Sequence, residues 1–167
     1  MGQKKVKTYV ITVSRVFPIK HNLAGEPTYF INSIINTINR NIQTYRIKAH
    51  TIRSNYPLWE KRIKEVQAGK AILSLRYWDG KPYRSKQKEI LALDSSSGIG
   101  IQKLVFFEGD SYCPYVYQDN STSNNPVLIE KLANNDGLTL EEFIEWFKDY
   151  DLTKPLAIIH FTKFRYL

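Results

Sequence analysis

The sequence predicts a single α+β domain, because stretches typical of strands are mixed with stretches typical of helices in no regular alternation. The length of 167 residues suits one domain, and 43% hydrophobic residues, with 13% aromatic residues, are enough for a core. No internal repeat and no linker divides residues 1–167, so we expect one domain to cover them.

The first two elements are expected to be a strand and a helix. Residues 9–17 are mainly β-branched or aromatic and stop at Pro18, which is typical of a strand. After Pro27, apolar residues recur at helical spacing with polar residues between them, which indicates an amphipathic helix packed on a core. These apolar residues are Phe30, Ile31, Ile34, Ile35, Ile38 and Ile42.

A charged stretch and a second helix follow. Residues 46–53 carry too many charges for a buried strand, so one interpretation is a solvated edge strand. A second helix is expected to begin near Pro57, because proline suits the first helical turn, and to end at Gly69.

Three strands are expected in the middle of the chain. Residues 71–78 alternate between apolar and polar, and Asp79-Gly80 then indicates a tight turn. Residues 87–93 and 99–107 are two further strands. The loop 95–98 between them is rich in Ser and Gly, so we expect a hairpin or a meander.

The C-terminal part combines a polar loop, two helices and a strand. Residues 117–126 are rich in Ser, Asn and Asp and indicate a loop, after which residues 127–133 suggest a short helix. Residues 156–161 are almost continuously apolar, which is typical of a strand buried on both faces or closing a barrel.

The start of the last helix has the clearest local pattern. Thr139 and Glu142 form a Ser/Thr-x-x-Glu capping box, and Leu138 and Phe143 occupy the positions of a hydrophobic staple. We therefore expect a helix over residues 140–148.

The net charge of +8 is distributed unevenly along the chain. Residues 1–90 carry 18 Lys and Arg against 5 Asp and Glu, a balance of +13, whereas residues 91–167 carry 6 against 11, a balance of −5. A basic surface of this kind suits a polyanion such as RNA, because neutralised phosphates release counterions. A basic surface without a ligand is equally compatible with the charge alone.

The composition argues against several other classes of protein. Cys113 is the only cysteine, and no CxxC motif or close histidine pair offers metal-ligand spacing, so we expect neither a metal nor a cofactor. Residues 1–8 are polar and lysine-rich with no apolar stretch behind them, so we expect no membrane segment and a cytoplasmic location.

The charged stretch also contains the first candidate site. Lys48, Thr51 and Arg53 would place two cations and a hydroxyl close together in an extended or turned segment. Such a group can hold a phosphate, a carboxylate or the polar edge of a base. The alternative remains the solvated edge strand.

These residues resemble a known family. Lys48-x-x-Thr51-Ile52-Arg53 is similar to the Lys-x-x-Thr-Ile-Arg signature of the ASCH domain, which is related to the PUA fold. Residues 133–138 resemble the family's Asp-Gly-hydrophobic entry to its last helix, and residues 158–164 resemble its closing strand. The resemblance implies a small, mixed, PUA-like β-barrel with flanking helices, whose cleft binds RNA.

One bacterial branch that resembles this family removes acetyl groups from modified cytidine with a lysine, a threonine and an acidic residue. The resemblance places these roles on Lys48, Thr51 and Asp136, although that branch has glutamate at the last position. From the residues alone, Lys48 acts as a base only if burial or nearby cations lower its pKa. If Lys48 stays charged, the same residues form a binding site only.

A second cluster combines basic and aromatic residues. Residues 76–86 interleave rings that stack on bases with cations that contact phosphates, which is common in single-strand binding. The candidate binding residues here are Trp78, Lys81, Tyr83, Arg84 and Lys86. The alternative is a hairpin in which Trp78 and Tyr83 form a cross-strand pair.

Three functions follow as hypotheses. The first is an RNA- or nucleotide-binding module, and the second is an amidohydrolase acting on acylated nucleosides such as acetylated cytidine. The third is a protein-interaction module of a phage or mobile element, which would use the basic face to bind an acidic partner.

Overall fold

The fold consists of two β-sheets with helices packed against them. A computed structural model describes residues 2, 4–40, 46–118 and 121–167. Within these residues the strands form a three-stranded and a five-stranded sheet, together with four α-helices. The predicted α+β class is therefore confirmed, and no closed barrel is found in this part of the chain.

The smaller sheet contains strands from the first half of the chain. Strands β1 (Lys7–Thr12), β3 (Ala71–Trp78) and β4 (Gln87–Leu93) lie in the order β1-β3-β4. β1 is parallel to β3, and β4 is antiparallel to β3. A parallel pair needs a long crossover, and here the chain between the two strands supplies two helices and a strand of the other sheet.

The larger sheet is entirely antiparallel, in the order β2-β8-β5-β6-β7. Its strands are β2 (His50–Arg53), β5 (Gly100–Phe106), β6 (Pro114–Tyr117), β7 (Asn124–Pro126) and β8 (Leu156–His160). All five residues of β8 are buried, as the apolar run predicts for a strand covered on both faces.

The helices begin and end close to the predicted positions. They are α1 (Phe30–Ile38), α2 (Tyr56–Gln67), α3 (Ile129–Asn135) and α4 (Leu140–Phe147). The predicted Ile42 of the first helix lies outside the described residues. At the start of α4, Glu142 N donates to Thr139 Oγ1 at 3.2 Å, and Thr139 N donates to a Glu142 carboxylate oxygen at 2.8 Å. The predicted capping box is therefore confirmed.

Four connections differ from the prediction. β1 ends at Thr12, and the chain then turns away so that Val16 forms only an isolated bridge with Pro27. The strand over 87–93 and the strand that follows it belong to different sheets, so they form no hairpin. The predicted loop at 117–126 contains β7, and β3 is followed by a longer loop over 79–86 instead of a tight turn. Turn residues in the sequence show where the chain turns, but they do not show which two strands form hydrogen bonds with each other.

The apolar core lies where the sheets meet the helices. Residues from both sheets and from α1 and α2 are fully buried there, including Ile34, Ile63, Leu73, Leu75, Leu104 and Ile158. None of the helices in the described ranges has the length and apolar character needed to cross a membrane.

Candidate functional site

A cavity of about 440 Å³ lies between the segment after β1, strand β2 and helix α4. Lys48, Thr51, Arg53 and Asp136, which the sequence singled out, all line it. The structure therefore brings the four residues together, although Asp136 lies 83 residues after Arg53 in the numbering of the chain.

The charged stretch around β2 is buried, so the prediction of a solvated strand is wrong. Lys48 is 2% exposed and Thr51 is 5% exposed. β2 lies at an edge of its sheet, but it pairs with the buried strand β8 on one side and faces the cavity. Burial of charges in this place is possible because partners from other elements satisfy them.

The principal partner of Lys48 is Asp136. The Lys48 Nζ donates to Asp136 Oδ1 at 2.9 Å and to the main-chain carbonyl of Asp136 at 2.7 Å. It also lies 4.1 Å from the centre of the Phe30 ring, a cation–π distance. The amine therefore has a carboxylate, a carbonyl and an aromatic face around it.

Asp136 is held in place by the end of helix α3. It is the C-cap residue of α3, and Gly137 follows with a φ of 83°, a conformation that favours glycine. A Cβ on Gly137 would lie 3.3 Å from the Phe30 ring, so the close approach also favours glycine. Asp136 is buried, and the Lys48 amine donates a hydrogen bond to its carboxylate.

Burial and pairing act on the pKa values of this ion pair in opposite directions. Burial lowers the pKa of Lys48 below its ordinary value, although the Asp136 carboxylate opposes the shift. Burial disfavours the charged form of Asp136, but the Lys48 ammonium and His50 outweigh it and hold the pKa of Asp136 below its usual range. Asp136 is therefore an ionised carboxylate at neutral pH.

Behind the ion pair lies a buried polar network that sequence reasoning missed. His50 Nδ1 lies 3.5 Å from Asp136 Oδ1, and its Nε2 lies 2.7 Å from the Tyr166 hydroxyl. Asn135 Nδ2 donates to the same hydroxyl at 3.0 Å. His50 Nδ1 has no hydrogen-bond partner among the described residues, so the network packs beside Asp136 and is joined by hydrogen bonds only among His50, Asn135 and Tyr166. No spacing in the sequence indicates that Tyr166 returns to it.

Arg53 is the one of these cations whose hydrogen bonding is incomplete. Its Nη2 donates to the Thr12 carbonyl at 2.6 Å, while its Nε is buried and has no hydrogen-bond partner among the described residues. Burial lowers the pKa of Arg53, and Tyr150 and the Asp136 carboxylate oppose this shift. Buried donors without an acceptor are rare in folded proteins. His50 Nδ1 and His160 Nδ1 also lack a partner among the described residues, but an imidazole nitrogen need not carry a proton, whereas Arg53 Nε always does.

The Thr51 hydroxyl also lacks a hydrogen-bond partner within the described residues. It lines the cavity and forms no hydrogen bond with Lys48 or with any other residue in the described ranges. A hydroxyl can both donate and accept, so this group adapts to either kind of polar atom on a ligand.

Apolar and aromatic residues make up much of the cavity wall, and the sequence did not identify them as such. They come from the segment after β1, from α1, from β2, from α4 and from the residues after α4, and include Ile19, Phe30, Ile52, Trp146, Phe147 and Tyr150. The amphipathic pattern of α4 indicated which face of the helix points inward. It could not tell whether the aromatic residues on that face pack in the core or line a cavity.

The second predicted cluster lies beside the cavity. The Trp78 and Tyr83 rings are 5.1 Å apart, so the predicted aromatic pair is present, but Tyr83 is in the loop after β3 and is 88% exposed. Tyr83 has a φ of 63°, which is uncommon for a residue with a large side chain. Lys81, Arg84 and Lys86 are exposed, and within the part of the chain that the structure describes they form no ion pair.

A second cavity, of about 540 Å³, lies along this cluster. Val13, Ser14, Pro18 and Ile19 line both cavities, and Trp78 lines only the second. Of the residues that the sequence assigned to binding, Lys48, Thr51 and Arg53 therefore line the first cavity and Trp78 lines the second. The remaining four, Lys81, Tyr83, Arg84 and Lys86, line neither cavity.

A metal site is not evident in the described ranges, which contain no group of three or more His, Cys, Asp or Glu side chains arranged to hold an ion. Comparison of the chain with protein-family models, curated proteins and solved structures found no match in any of the three. The ASCH resemblance therefore rests on the short motifs around Lys48 and Asp136 and on residues 158–164.

Proposed function

We propose that the protein is an RNA- or nucleotide-binding module, related to the ASCH domains and their PUA-like fold, whose cavity holds a single base. The proposal is carried by Arg53, which lines the cavity and whose buried Nε–H has no acceptor among the described residues. A carbonyl or ring nitrogen on the edge of a base is an acceptor of the required kind.

The size and lining of the cavity support a planar, partly apolar ligand. Its volume of about 440 Å³ falls within the range of about 300 to 1,000 Å³ typical of small-molecule sites. The aromatic residues of the lining are suited to stacking on a base, and Arg53 and Thr51 are the polar residues that we expect to bind its edge.

The state of Lys48 favours binding over catalysis. Its amine is engaged by two oxygens of Asp136 and lies over the Phe30 ring, so it has no direct interaction with the Thr51 hydroxyl. A general base must lie within hydrogen-bond reach of the proton it removes. The Lys48–Asp136 pair therefore shapes the floor of the site, and the ligand is bound by Arg53 and Thr51.

The test is nucleotide binding by an Arg53→Lys variant, measured by titration calorimetry with the four ribonucleoside monophosphates. Lysine keeps the charge but removes the guanidinium Nε–H, so we expect affinity to fall by about 1.5 to 3 kcal/mol. Arg62→Lys is the matched control, since Arg62 stacks on Tyr9 and Trp59 and lines neither cavity. Equal affinity in the Arg53→Lys and unaltered proteins would contradict the proposal.

One observation favours amidohydrolysis of an acylated nucleoside as a second candidate. Lys48, Thr51 and Asp136 line the same cavity, and burial lowers the pKa of Lys48, as a lysine base requires. In that reaction water would replace the amine at the acyl carbon, releasing a carboxylic acid and the nucleoside amine. Turnover of acetylated cytidine is the direct test.

A further inference from the structure

The second cavity is the most apolar concavity beside the proposed site, and most of its lining cannot form side-chain hydrogen bonds. Apart from Ser14 and Arg15, its lining side chains are apolar or absent, and they include Val16, Phe17, Pro18, Ile19 and Trp78. Arg15 is already engaged, because it donates to the Asp79 carbonyl at 3.0 Å and lies over the Tyr77 ring. This cavity therefore offers contact area and an aromatic ring, but little recognition of polar groups.

The two cavities are neighbours on one short segment of chain. Residues Val13, Ser14, Pro18 and Ile19 line both, so the Arg53 cavity and the Trp78 cavity are close enough for consecutive parts of one ligand. Val16 and Ile19, which line the second cavity, are 48% and 92% exposed although both are large apolar residues. Exposed apolar residues grouped beside a concavity are typical of a binding site.

The loop that contributes Gly80 and Pro82 to the second cavity carries the charge that a nucleic-acid backbone requires. Pro82, which lines the cavity, lies in the loop 79–86 together with Lys81, Arg84 and Lys86. These three exposed cations have no ion-pair partner among the described residues. They are therefore available to phosphates of a strand that passes over the cavity.

Trp78 is not needed for the core. It is half-buried at the end of β3 and does not belong to the apolar core or to the residues packed on it. Its ring contacts Tyr83, which is itself exposed, so the aromatic pair is directed toward the solvent side of the cavity.

We infer that the two cavities are adjacent subsites for consecutive nucleotides of an unpaired strand, the first selecting a base and the second accepting any base. This inference rests on the proposed function, because the first subsite is the Arg53 cavity. Selection occurs at Arg53 and Thr51, where edge groups are bound. The Trp78 cavity accepts any base, since every base has an aromatic face that can stack on the Trp78 ring. This cavity also has few groups that can form hydrogen bonds with the edge of a base.

The experiment compares mononucleotides with dinucleotides by titration calorimetry. A dinucleotide whose first base is the preferred mononucleotide should bind roughly 5- to 150-fold more tightly than that mononucleotide, which corresponds to one stacked base. Changing the second base of the dinucleotide should alter its affinity by less than about fivefold. Changing the first base should remove the higher affinity that comes from the preferred base.

Variants assign this gain to the second cavity. Trp78→Ala should remove the dinucleotide gain and leave mononucleotide affinity unchanged, and Trp78→Phe should restore most of the gain because it keeps an aromatic face. Tyr112→Ala is the control, since Tyr112 is 61% exposed and lines neither cavity. Circular dichroism of each variant confirms that it is folded.

The possible failures are distinguishable. If mononucleotides bind in an Arg53-dependent manner and the second nucleotide adds nothing, or adds as much in Trp78→Ala, the two-subsite inference is wrong and the proposed function stands. If neither mononucleotides nor dinucleotides bind, both are wrong.

Discussion

The Lys48 amine donates to both the carboxylate and the main-chain carbonyl of Asp136, a residue 88 positions further along the chain. The pair joins the segment before β2 to the end of α3, with both side chains almost completely buried. It thereby fixes the base of the cavity to two separate elements.

Breaking this pair should destabilise the protein severely. Lys48→Met leaves a buried carboxylate with only His50 near it, so we expect a loss of about 3 to 5 kcal/mol in the free energy of unfolding. The double variant Lys48→Met/Asp136→Asn should lose less than the sum of the single variants, because neither charge then remains. Urea denaturation of the four proteins gives the coupling. A loss below about 1 kcal/mol in Lys48→Met would contradict the buried pair.

Stability should fall as the pH falls below about 6.5, where unfolded histidines take up protons. Burial lowers the pKa of His160 well below its ordinary value, with the charges of His50 and Arg165 adding to the effect, and burial also lowers the pKa of His50 although Asp136 opposes it. The unfolded chain then binds more protons than the folded chain, so stability rises with pH in this range and is lost on acidification.

The expected slope is about 1.4 kcal/mol per pH unit for each histidine that protonates only on unfolding. Urea midpoints at pH 7.5, 6.5 and 5.5 measure it. His160→Gln should reduce the slope by one proton's contribution, whatever it does to stability at pH 7.5, because only one such histidine then remains. An unchanged slope in that variant would show that His160 is not held neutral.

Replacing Tyr83 with glycine should raise stability and weaken binding. A positive φ strains a residue with a Cβ, and relief of that strain exceeds the extra freedom of the unfolded chain, for a net gain of about 0.5 to 1 kcal/mol. Tyr112→Gly, at an exposed position without a positive φ, should lose stability instead. Thermal unfolding and nucleotide titration of both variants check the prediction, and a Tyr83→Gly protein that binds as well as the unaltered one would exclude Tyr83 from the site.

The loop cations should determine how binding depends on salt. Each phosphate contact to a single strand contributes about −0.7 to the slope of log K against log salt concentration, so neutralising Lys81, Arg84 and Lys86 should flatten the slope by about 2. The matched control neutralises Lys61, Lys70 and Lys163, which are exposed and line neither cavity. Oligonucleotide binding that is independent of salt, or that both triple variants weaken equally, would argue against this loop as the phosphate contact and favour an acidic protein partner.

Acetylated cytidine should bind without being hydrolysed at a useful rate. The Lys48 amine is held by Asp136, and Thr51 has no base within hydrogen-bond distance, so no activated nucleophile is present. Chromatography of the free nucleoside after incubation measures the reaction. Turnover that disappears in Lys48→Met, in a variant shown to be folded, would establish the amidohydrolase alternative.

The sequence predicted most of the elements because their signals are local. The capping box at Thr139, the proline near the start of α2 and the alternation over β3 each depend on neighbouring residues, and each element lies where it was expected. Strand pairing depends on residues far apart in the chain, so the separation of β4 and β5 into different sheets was not predictable from the turn between them.

The sequence identified the polar residues of the candidate site but not the residues that surround them. The motif around Lys48 and the acid at Asp136 were identified, but their burial was not, because the charge of a segment was taken to indicate exposure. The partner that permits burial comes from another element, as do Tyr150 on the cavity wall and Tyr166 in the supporting network. Only the folded chain brings these residues together.

The position of β8 between β2 and β5 has a consequence for synthesis on the ribosome. Within the described residues β2 pairs only with β8. The contact between His50 and Tyr166 joins residues 116 positions apart in the chain. Strand β2 therefore leaves the ribosome long before its partner exists, and its buried residues stay exposed to chaperones and to other nascent chains during that interval. We expect the binding cavity to be among the last parts of the molecule to form, since pairing over such distances is slow.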